Sequence, residues 1–177
     1  MHQGIFLDRD GVINEVLSDR VKFVNKPSDF YLLDGVGEAV KMFNEMGYYV
    51  FAVTNQGGIG LGYMKEYALD AIHTQMKAEL AAFGAKIDDI AYCPHKPHAG
   101  CACRKPQPKM ILDLAEKYDI ALEESFMAGD REPDITAGKE AGTTTVLIGQ
   151  RKREQQKADA NMTFPDLLAF ARWLQKQ

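Results

Sequence analysis

Short apolar segments of strand length alternate with longer segments of helical periodicity along most of the chain. The apolar segments lie at Gly4–Leu7, Tyr49–Val53, Ile87–Tyr92, Phe126–Ala128 and Thr143–Ile148. Helical periodicity is found near Val36–Met46, Tyr67–Phe83, Lys109–Tyr118, Asp134–Ala141 and Phe164–Leu174. This alternation predicts an α/β fold in which a parallel sheet lies between two layers of helices, a three-layer Rossmann-like arrangement.

Two segments interrupt the alternation. Asn14–Asp34 follows the first strand, and Pro94–Pro108, rich in Pro, His and Cys, follows the third. Loops of this length inside a compact domain are often functional. The 177 residues otherwise suit one domain over residues 1–177, with enough length for one core and little left for a second module.

Composition and charge limit the classes of partner that we expect for this protein. The chain is 46% hydrophobic and 26% charged, as in globular proteins, and no apolar run approaches the roughly 20 residues that span a bilayer. The formal charge of −4 argues against a nucleic-acid partner. Because no basic and apolar leader precedes the first strand, we expect a cytoplasmic protein. We also expect a monomer, and local positive charge is compatible with small phosphorylated partners. The basic run at Arg151–Arg153 is interpreted as a solvated face.

Polar residues follow the predicted strands at their carboxyl ends, the edge at which open parallel sheets bind ligands. The first strand leads into Asp8 and Asp10, the second into Thr54 and Asn55, and the fourth into Asp130 and Arg131; Arg104 and Lys105 follow the third strand after the Pro, His and Cys segment. The residues therefore form one candidate site. The alternative for Asp8 and Asp10 is that they are two solvated acids in a turn, which is common after a strand.

The order of these residues resembles the haloacid dehalogenase superfamily of phosphohydrolases. The four matching motifs are Asp8-x-Asp10, Thr54, Lys105, and Gly129-Asp130 with Asp134 four residues on. The resemblance implies a Mg²⁺-dependent phosphatase in which Asp8 is the nucleophile and Asp10 the general acid and base. It also implies that Asp8, Asp130 and the Asp10 backbone carbonyl bind Mg²⁺, and that Thr54 and Lys105 hold the phosphoryl group. Asp134 is expected to orient Lys105 or the metal shell.

The glycine-rich segment Gly57–Gly62 does not have the G-x-G-x-x-G spacing of a dinucleotide site and lacks the Lys-Ser/Thr of a P-loop. We interpret it as flexible backbone near the phosphoryl site. The superfamily often carries an inserted cap domain, for which this chain has no room. A capless domain is therefore expected, in which the two long loops border the substrate.

Three cysteines and a histidine within eleven positions supply a ligand set for tetrahedral structural zinc. They are Cys93, His95, Cys101 and Cys103; His98 competes as the fourth ligand, and reduced cysteines without metal are the alternative. The Cys-Pro-His and Cys-x-Cys-Arg-Lys-Pro sequences resemble the subgroup that contains heptose-bisphosphate and histidinol-phosphate phosphatases. In that subgroup the loop binds structural Zn²⁺ through the four residues named first.

The resemblance and the charges of the loop together suggest a substrate. A guanidinium can bind a second phosphate bidentately, so Arg104, with Asn55 and Arg131, is expected to contact the substrate. The first hypothesis is removal of the 7-phosphate of heptose 1,7-bisphosphate through an aspartyl phosphate. Histidinol-phosphate phosphatase is the second, and a zinc-loop binding protein on an inactive phosphatase scaffold is the non-enzyme alternative. His73 is expected to be structural or exposed.

Overall fold

The computed structural model describes residues 1–149 and 158–177. In chain order, the described elements are β1 Gly4–Leu7, α1 Val36–Glu45, β2 Tyr49–Asn55, α2 Glu66–Ala81, β3 Asp89–Cys93, α3 Lys109–Tyr118, β4 Phe126–Gly129, α4 Glu132–Ala141, β5 Thr144–Ile148, β6 Met162–Phe164 and α5 Leu167–Gln175. The expected α/β fold is confirmed. The Arg151–Arg153 run lies outside the described residues.

The six strands form one sheet in the order β3-β2-β1-β4-β5-β6, and every neighbouring pair is parallel. Parallel strands covered on both faces read as continuous apolar runs, which is why all four residues of β1 are buried. β1 lies between β2 and β4. The order of the chain thus places the first, second and fourth strand ends side by side.

Alternate residues of β1 belong to two separate cores. Ile5 and Leu7 pack with α1, α2 and α5 on one face of the sheet, whereas Phe6 packs with α3 and α4 on the other. The successive side chains of a strand point to opposite faces, so a four-residue strand contributes to both layers. This produces the expected three-layer arrangement.

The C-terminal end of the chain differs from the expected one. Phe164 was expected to begin the last helix, but it ends β6, and α5 begins at Leu167 after the N-cap Asp166, whose Oδ1 accepts from Ala169 N at 2.8 Å. The physical reason is pairing with β5, because Ile148 is in register with Phe164. A three-residue edge strand has too short a pattern to be recognised locally.

The long loop after β1 closes over the same edge as the strand ends. It contains one 3₁₀ turn at Pro27–Asp29, and its Val21, Val24 and Phe30 belong to the core under α1 and α2. Within residues 1–149 and 158–177, the site is bordered by this loop and by the loop after β3, with no inserted cap domain. In the same described part of the chain, no helix is both long and apolar enough for a membrane span.

Candidate active site

Three buried carboxylates meet where β1 and β4 end. Asp8 follows β1, Asp130 follows β4, and Asp134 lies in the first turn of α4. One oxygen of each lies within 4.8 Å of the others, and the three residues are only 3–6% exposed. The predicted convergence of Asp8 and Asp130 is therefore seen in the geometry, and Asp134 joins them.

Gly11 makes this close approach possible. A Cβ atom at this position would lie 2.2 Å from Asp130 Oδ2, and the backbone has φ +88°. Both the space and the backbone conformation exclude other residues. The glycine after the Asp-x-Asp motif is thus a requirement of the carboxylate cluster.

The Lys105 ammonium lies between two of these carboxylates. Its Nζ donates to Asp8 Oδ1 at 2.8 Å, to Asp134 Oδ1 at 2.7 Å and to the Val53 carbonyl at 2.8 Å. Burial lowers the pKa of Lys105, but the charges of Asp134 and Asp8 outweigh it and hold the pKa above its usual range. The lysine is therefore a fixed positive charge beside Asp8.

The backbone of Lys105 is fixed by Asn55. Asn55 Oδ1 accepts from Lys105 N at 2.9 Å, and Asn55 Nδ2 donates to Lys105 O at 3.1 Å. This pair of bonds joins the end of β2 to the loop before α3. Asn55 also lines the cavity described below, so a substrate contact and this positioning contact can coexist.

Asp134 has two structural contacts besides Lys105. Its Oδ2 accepts from the backbone N–H groups of Asp130 and Arg131, each at 3.2 Å, which satisfies orphan donors at the start of α4. Since Oδ1 holds Lys105, both oxygens are engaged within the protein. The geometry favours orientation of Lys105 as the role of this residue.

The charges of the cluster do not balance. Three carboxylates face one ammonium, so two negative charges remain in a buried site, which is the charge of one divalent cation. Burial is the largest cause that raises the pKa of Asp8 well above its usual range, and the charge of Asp134 is the second. The charge of Lys105 lowers this pKa but does not outweigh the two. Mg²⁺ prefers oxygen ligands and few carboxylates. The donor set and its excess charge fit this ion.

Asp10 lies beside the cluster in a different environment. Arg9 Nε and Nη2 donate to its Oδ1 at 3.1 and 2.8 Å, Asn14 Nδ2 donates to the same oxygen at 3.0 Å, and Gln56 Nε2 lies 3.3 Å from its Oδ2. Burial alone would raise the pKa of Asp10, but the Arg9 charge and these hydrogen bonds lower it. The protein side chains thus drive the two acids of one motif in opposite directions, Asp8 towards its neutral form and Asp10 towards the carboxylate.

His73 of α2 completes the surroundings of Arg9. Its Nε2 lies 3.1 Å from Arg9 Nη1, and the residue is buried on the helix face that also carries Leu69, Ile72 and Met76. Burial, and then the Arg9 charge, lower the pKa of His73 to about 3, so the ring is neutral. His73 is therefore a buried structural residue. This was one of the two expectations for it, and the other, an exposed residue, is wrong.

Thr54 lies at the end of β2 and is 1% exposed. Its Oγ1 accepts from Gln56 Nε2 at 2.7 Å, and the same Gln56 nitrogen reaches Asp10. Gln56 thereby connects the hydroxyl to Asp10.

A cavity of about 280 Å³ opens beside these residues and is lined by Asp10, Asn55, Asp130, Arg104 and Arg131, among others. Its outer wall is apolar: Leu17, Phe23, Leu61 and Tyr63 line it and are also exposed. Two arginines therefore line the same cavity as Asp10 and Asp130. This places positive charge where a second anionic group of a substrate could bind.

The glycine-rich segment Gly57–Gly62 borders that cavity but also packs against the loop after β3. Gly60 N donates to Pro94 O at 2.9 Å, and a Cβ on Gly60 would lie 2.6 Å from Lys96 N. The segment allows two backbones to approach closely. Its described contacts do not include a helix N-terminus of the P-loop type.

The four residues predicted to bind zinc are brought together. The Cys93 sulfur lies 3.6 Å from that of Cys101 and 2.7 Å from that of Cys103, while His95 Nδ1 lies 3.3 and 3.2 Å from the Cys93 and Cys103 sulfurs. A tetrahedral Zn²⁺ with Zn–S bonds of about 2.3 Å would separate two sulfurs by about 3.7 Å. The Cys93–Cys101 separation is close to this value, whereas the Cys93 and Cys103 sulfurs lie closer together and would have to move apart around the ion. The four donors are of the types that zinc prefers and lie within 4.8 Å of one another, and His98 is not a member of the cluster.

Sequence reasoning gave no role in the site to four polar residues: Arg9, Asn14, Gln56 and His73, the last of which was expected only to be structural or exposed. Arg9 occupies the variable position of Asp-x-Asp, where a charged residue is expected to be solvated. One signal was available, because His73 follows Leu69 by four residues on the apolar face of α2. A polar residue on that face requires a buried partner.

Comparison with known proteins decides the family. A family model described as HAD-hydrolase-like matches residues 102–169. D-glycero-beta-D-manno-heptose-1,7-bisphosphate 7-phosphatase of Pseudomonas putida is 36% identical over 174 residues, covering 96% of this chain and 98% of that protein. The chain belongs to the haloacid dehalogenase-like (HAD-like) hydrolases.

Two further relatives support the assignment of this chain to the HAD-like hydrolases. D-glycero-alpha-D-manno-heptose-1,7-bisphosphate 7-phosphatase of Campylobacter jejuni is 39% identical over 153 residues, 86% of each chain. A crystal structure of D,D-heptose 1,7-bisphosphate phosphatase from B. bronchiseptica, complexed with magnesium and phosphate, matches with a TM-score of 0.90 at 35% identity and covers 98% of both chains. Because these relatives are phosphatases, this HAD-like chain is a phosphatase too.

Proposed function

We propose that this phosphatase hydrolyses the 7-phosphate of D-glycero-D-manno-heptose 1,7-bisphosphate and releases heptose 1-phosphate. The observation that carries the proposal is the Lys105 ammonium held between Asp8 and Asp134 beside a cavity that continues to Arg104 and Arg131. The names of the relatives support the same substrate. They include both anomers, so the proposal extends to heptose bisphosphate without choosing between them.

Asp8 is the proposed nucleophile. One oxygen of its carboxylate attacks phosphorus in line with the leaving oxygen and forms an aspartyl phosphate. Lys105 bonds to Oδ1, which fixes the orientation of the carboxylate and leaves Oδ2 as the attacking oxygen. Water then hydrolyses the acyl phosphate and restores Asp8.

Asp10 is the proposed general acid and base. It gives a proton to the leaving sugar oxygen in the first step and takes one from the attacking water in the second. Its side chain faces the same cavity as Asp130, which supports a position near the reacting atoms. Lys105 and Thr54 hold the phosphoryl oxygens as charge moves between them.

Two metal ions complete the proposal. Mg²⁺ would be held by the carboxylates of Asp8 and Asp130 and by the Asp10 backbone carbonyl, and when bound it screens the phosphate charge from the nucleophile. Zn²⁺ would be held by Cys93, His95, Cys101 and Cys103, as the donor set and spacing support. The zinc is proposed to be structural, since four protein ligands leave no open position.

Zinc would fix Arg104 in the substrate cavity. Arg104 directly follows Cys103, and its Nη1 donates to the His95 carbonyl at 3.3 Å. Arg104 is thus held by two residues that would bind the same zinc ion, Cys103 through the chain and His95 through this hydrogen bond. We propose that Arg104 and Arg131 bind the 1-phosphate that is retained, and that Asn55 contacts the substrate near the phosphoryl group that is removed.

The charges of the cavity argue against histidinol phosphate. That substrate carries a cationic amine and no second phosphate, whereas the cavity is lined by the two cations Arg104 and Arg131. Like charges at close range disfavour such a complex. Heptose bisphosphate instead brings a second phosphate to the two guanidinium groups.

The test compares kcat/KM for heptose 1,7-bisphosphate, sugar monophosphates and histidinol phosphate, with ³¹P NMR to identify which phosphate leaves. We expect the bisphosphate to be preferred and only its 7-phosphate to be lost. Arg104→Gln should raise KM for the bisphosphate by about tenfold or more and leave monophosphates little changed. Arg172→Gln, exposed on α5, is the matched control; a higher kcat/KM for histidinol phosphate would reject the substrate.

Three expectations about cellular context stay predictions. They are a cytoplasmic location, a monomeric state and the lack of a nucleic-acid partner. Light scattering on the purified protein tests the second directly.

A further inference from the structure

Arg9 is fully buried, which is unusual for a cation next to a catalytic motif. Its side chain is 0% exposed and lies between Asp10 and His73. A buried charge is costly unless it is paired and its donors are satisfied. Nε and Nη2 each donate to Asp10, and Nη1 has the His73 nitrogen as its partner.

The hydrogen bonds to Asp10 are distributed unequally over its two oxygens. Oδ1 accepts from Arg9 twice and from Asn14 once, all between 2.8 and 3.1 Å. Oδ2 has only Gln56 Nε2 at 3.3 Å, and that nitrogen also donates to Thr54 at 2.7 Å. The acceptor capacity of Oδ1 is therefore filled, whereas Oδ2 is available for exchange of a proton.

His73 orients the Arg9 guanidinium by accepting a hydrogen bond from Nη1. Only a neutral imidazole can accept from a guanidinium, and in this ring Nε2 must be the acceptor and Nδ1 the protonated nitrogen. The ring is held by the apolar face of α2, so it cannot follow Arg9 if the arginine moves. An aliphatic residue at position 73 would leave a buried Arg9 donor unsatisfied.

We propose that Arg9 and His73 are positioning residues that fix the Asp10 carboxylate by Oδ1 and direct Oδ2 to the reacting atoms. Oδ2 then carries the proton given to the leaving sugar oxygen as the phosphorus–oxygen bond breaks. The same atom takes a proton from water as the water oxygen attacks the aspartyl phosphate, which releases inorganic phosphate. This inference rests on the proposed phosphatase function and adds two residues that its four motifs do not specify.

Leaving groups of different basicity separate this role from a merely structural one. A sugar alkoxide needs protonation as it departs, whereas p-nitrophenolate leaves as a stable anion. Since kcat/KM reports steps up to formation of the aspartyl phosphate, a misplaced general acid lowers it for the sugar phosphate alone. A misplaced general base instead slows hydrolysis of the intermediate for both substrates.

The experiment compares His73→Leu and His73→Gln with the parent enzyme on heptose 1,7-bisphosphate and p-nitrophenyl phosphate. We expect His73→Leu to lower kcat/KM for the sugar phosphate by about tenfold or more and that for the aryl phosphate by less than about threefold. With the aryl phosphate, kcat should fall and rapid mixing should show a burst of one nitrophenolate per enzyme. His73→Gln, which keeps an acceptor, should recover most of the loss.

Thr74→Leu, an exposed change on the same helix, is the matched control and should alter neither substrate. Equal losses of kcat/KM on both substrates, or no recovery in His73→Gln, would overturn the inference. If His73→Leu does not fold, as judged by its melting temperature, Arg9→Lys supplies the same comparison, because one ammonium cannot bond to both Asp10 and His73. A parent enzyme inactive on both substrates would reject the proposed function itself, which is a different outcome.

Discussion

Asn55 and Lys105 are joined by two hydrogen bonds between the Asn55 amide and the Lys105 backbone, at 2.9 and 3.1 Å. The pair connects the end of β2 to the end of the metal-binding loop. Since Lys105 also bonds to Asp8, these contacts connect the end of β2, the loop after β3 and the proposed nucleophile.

Asp8→Asn should abolish turnover while the protein remains folded. The amide keeps the shape of the side chain but cannot form an acyl phosphate, so kcat should fall by at least about a thousandfold. Asp70→Asn, an exposed change on α2, is the control and should keep full activity. Measurable ³²P labelling of Asp8→Asn by substrate would contradict the assignment of the nucleophile.

Gly11→Ala and Gly47→Ala form a matched pair. Both glycines have positive φ, +88° and +90°, but a Cβ on Gly11 would meet Asp130 at 2.2 Å whereas one on Gly47 would meet nothing within 4 Å. Each change should cost about 1–2 kcal/mol of stability through backbone strain, measured by denaturant unfolding.

Only Gly11→Ala should also lose activity, by about a hundredfold or more, because Asp130 must move out of the carboxylate cluster. Its Mg²⁺ affinity, measured by calorimetry, should fall in parallel. Equal activity of the two variants would show that the approach of Asp130 to Gly11 is not needed.

His95→Gln and His98→Gln separate the two histidines that compete for zinc. The cluster includes His95 and excludes His98, so His95→Gln should lower both the zinc content and the melting temperature. His98→Gln should retain one zinc per chain by metal analysis of protein purified without chelator. Cys101→Ser should behave like His95→Gln, and a parent protein without stoichiometric zinc would refute the site.

Magnesium should stabilise the protein more at higher pH. The raised pKa of Asp8 means that the folded chain holds this proton at pH values where the unfolded chain has released it. Without metal, the Asp8 contribution to the free energy of unfolding therefore falls as pH rises from about 4 through the raised pKa. Mg²⁺ needs the carboxylate, so its gain in melting temperature should grow over the same interval.

Differential scanning fluorimetry with MgCl₂ or EDTA at a series of pH values measures that gain. Asp8→Asn, which cannot titrate, is the control and should show a much flatter dependence. A gain that is independent of pH in the parent protein would mean that Asp8 does not limit metal binding.

The sheet and the carboxylate cluster could be predicted because both follow from local patterns. β1 and β4 are continuous apolar runs, and an acid after each must lie at the carboxyl edge if the strands are parallel. The role of Lys105 was found through the resemblance, because the residue lies inside an irregular loop, 94–108, with no strand or helix pattern of its own to place it.

Arg9 and β6 could not be predicted for a different reason. The burial of Arg9 depends on α2, which crosses the sheet more than sixty positions further along the chain, and β6 is a strand only because β5 offers it a free edge. Both are long-range packing effects with almost no local signal. His73 carried part of that signal, as a polar residue on an apolar helix face.

The contact between Lys105 and Asp8 joins positions 97 apart in the sequence, and that between Lys105 and Asp134 joins positions 29 apart. No fragment that lacks β4 and the start of α4 contains a complete centre, so a nascent chain has no turnover until that segment has emerged and docked. Specific activity is therefore a direct readout of the fraction of molecules that have completed assembly of the sheet. In refolding experiments, recovery of hydrolysis should lag behind recovery of helical circular dichroism.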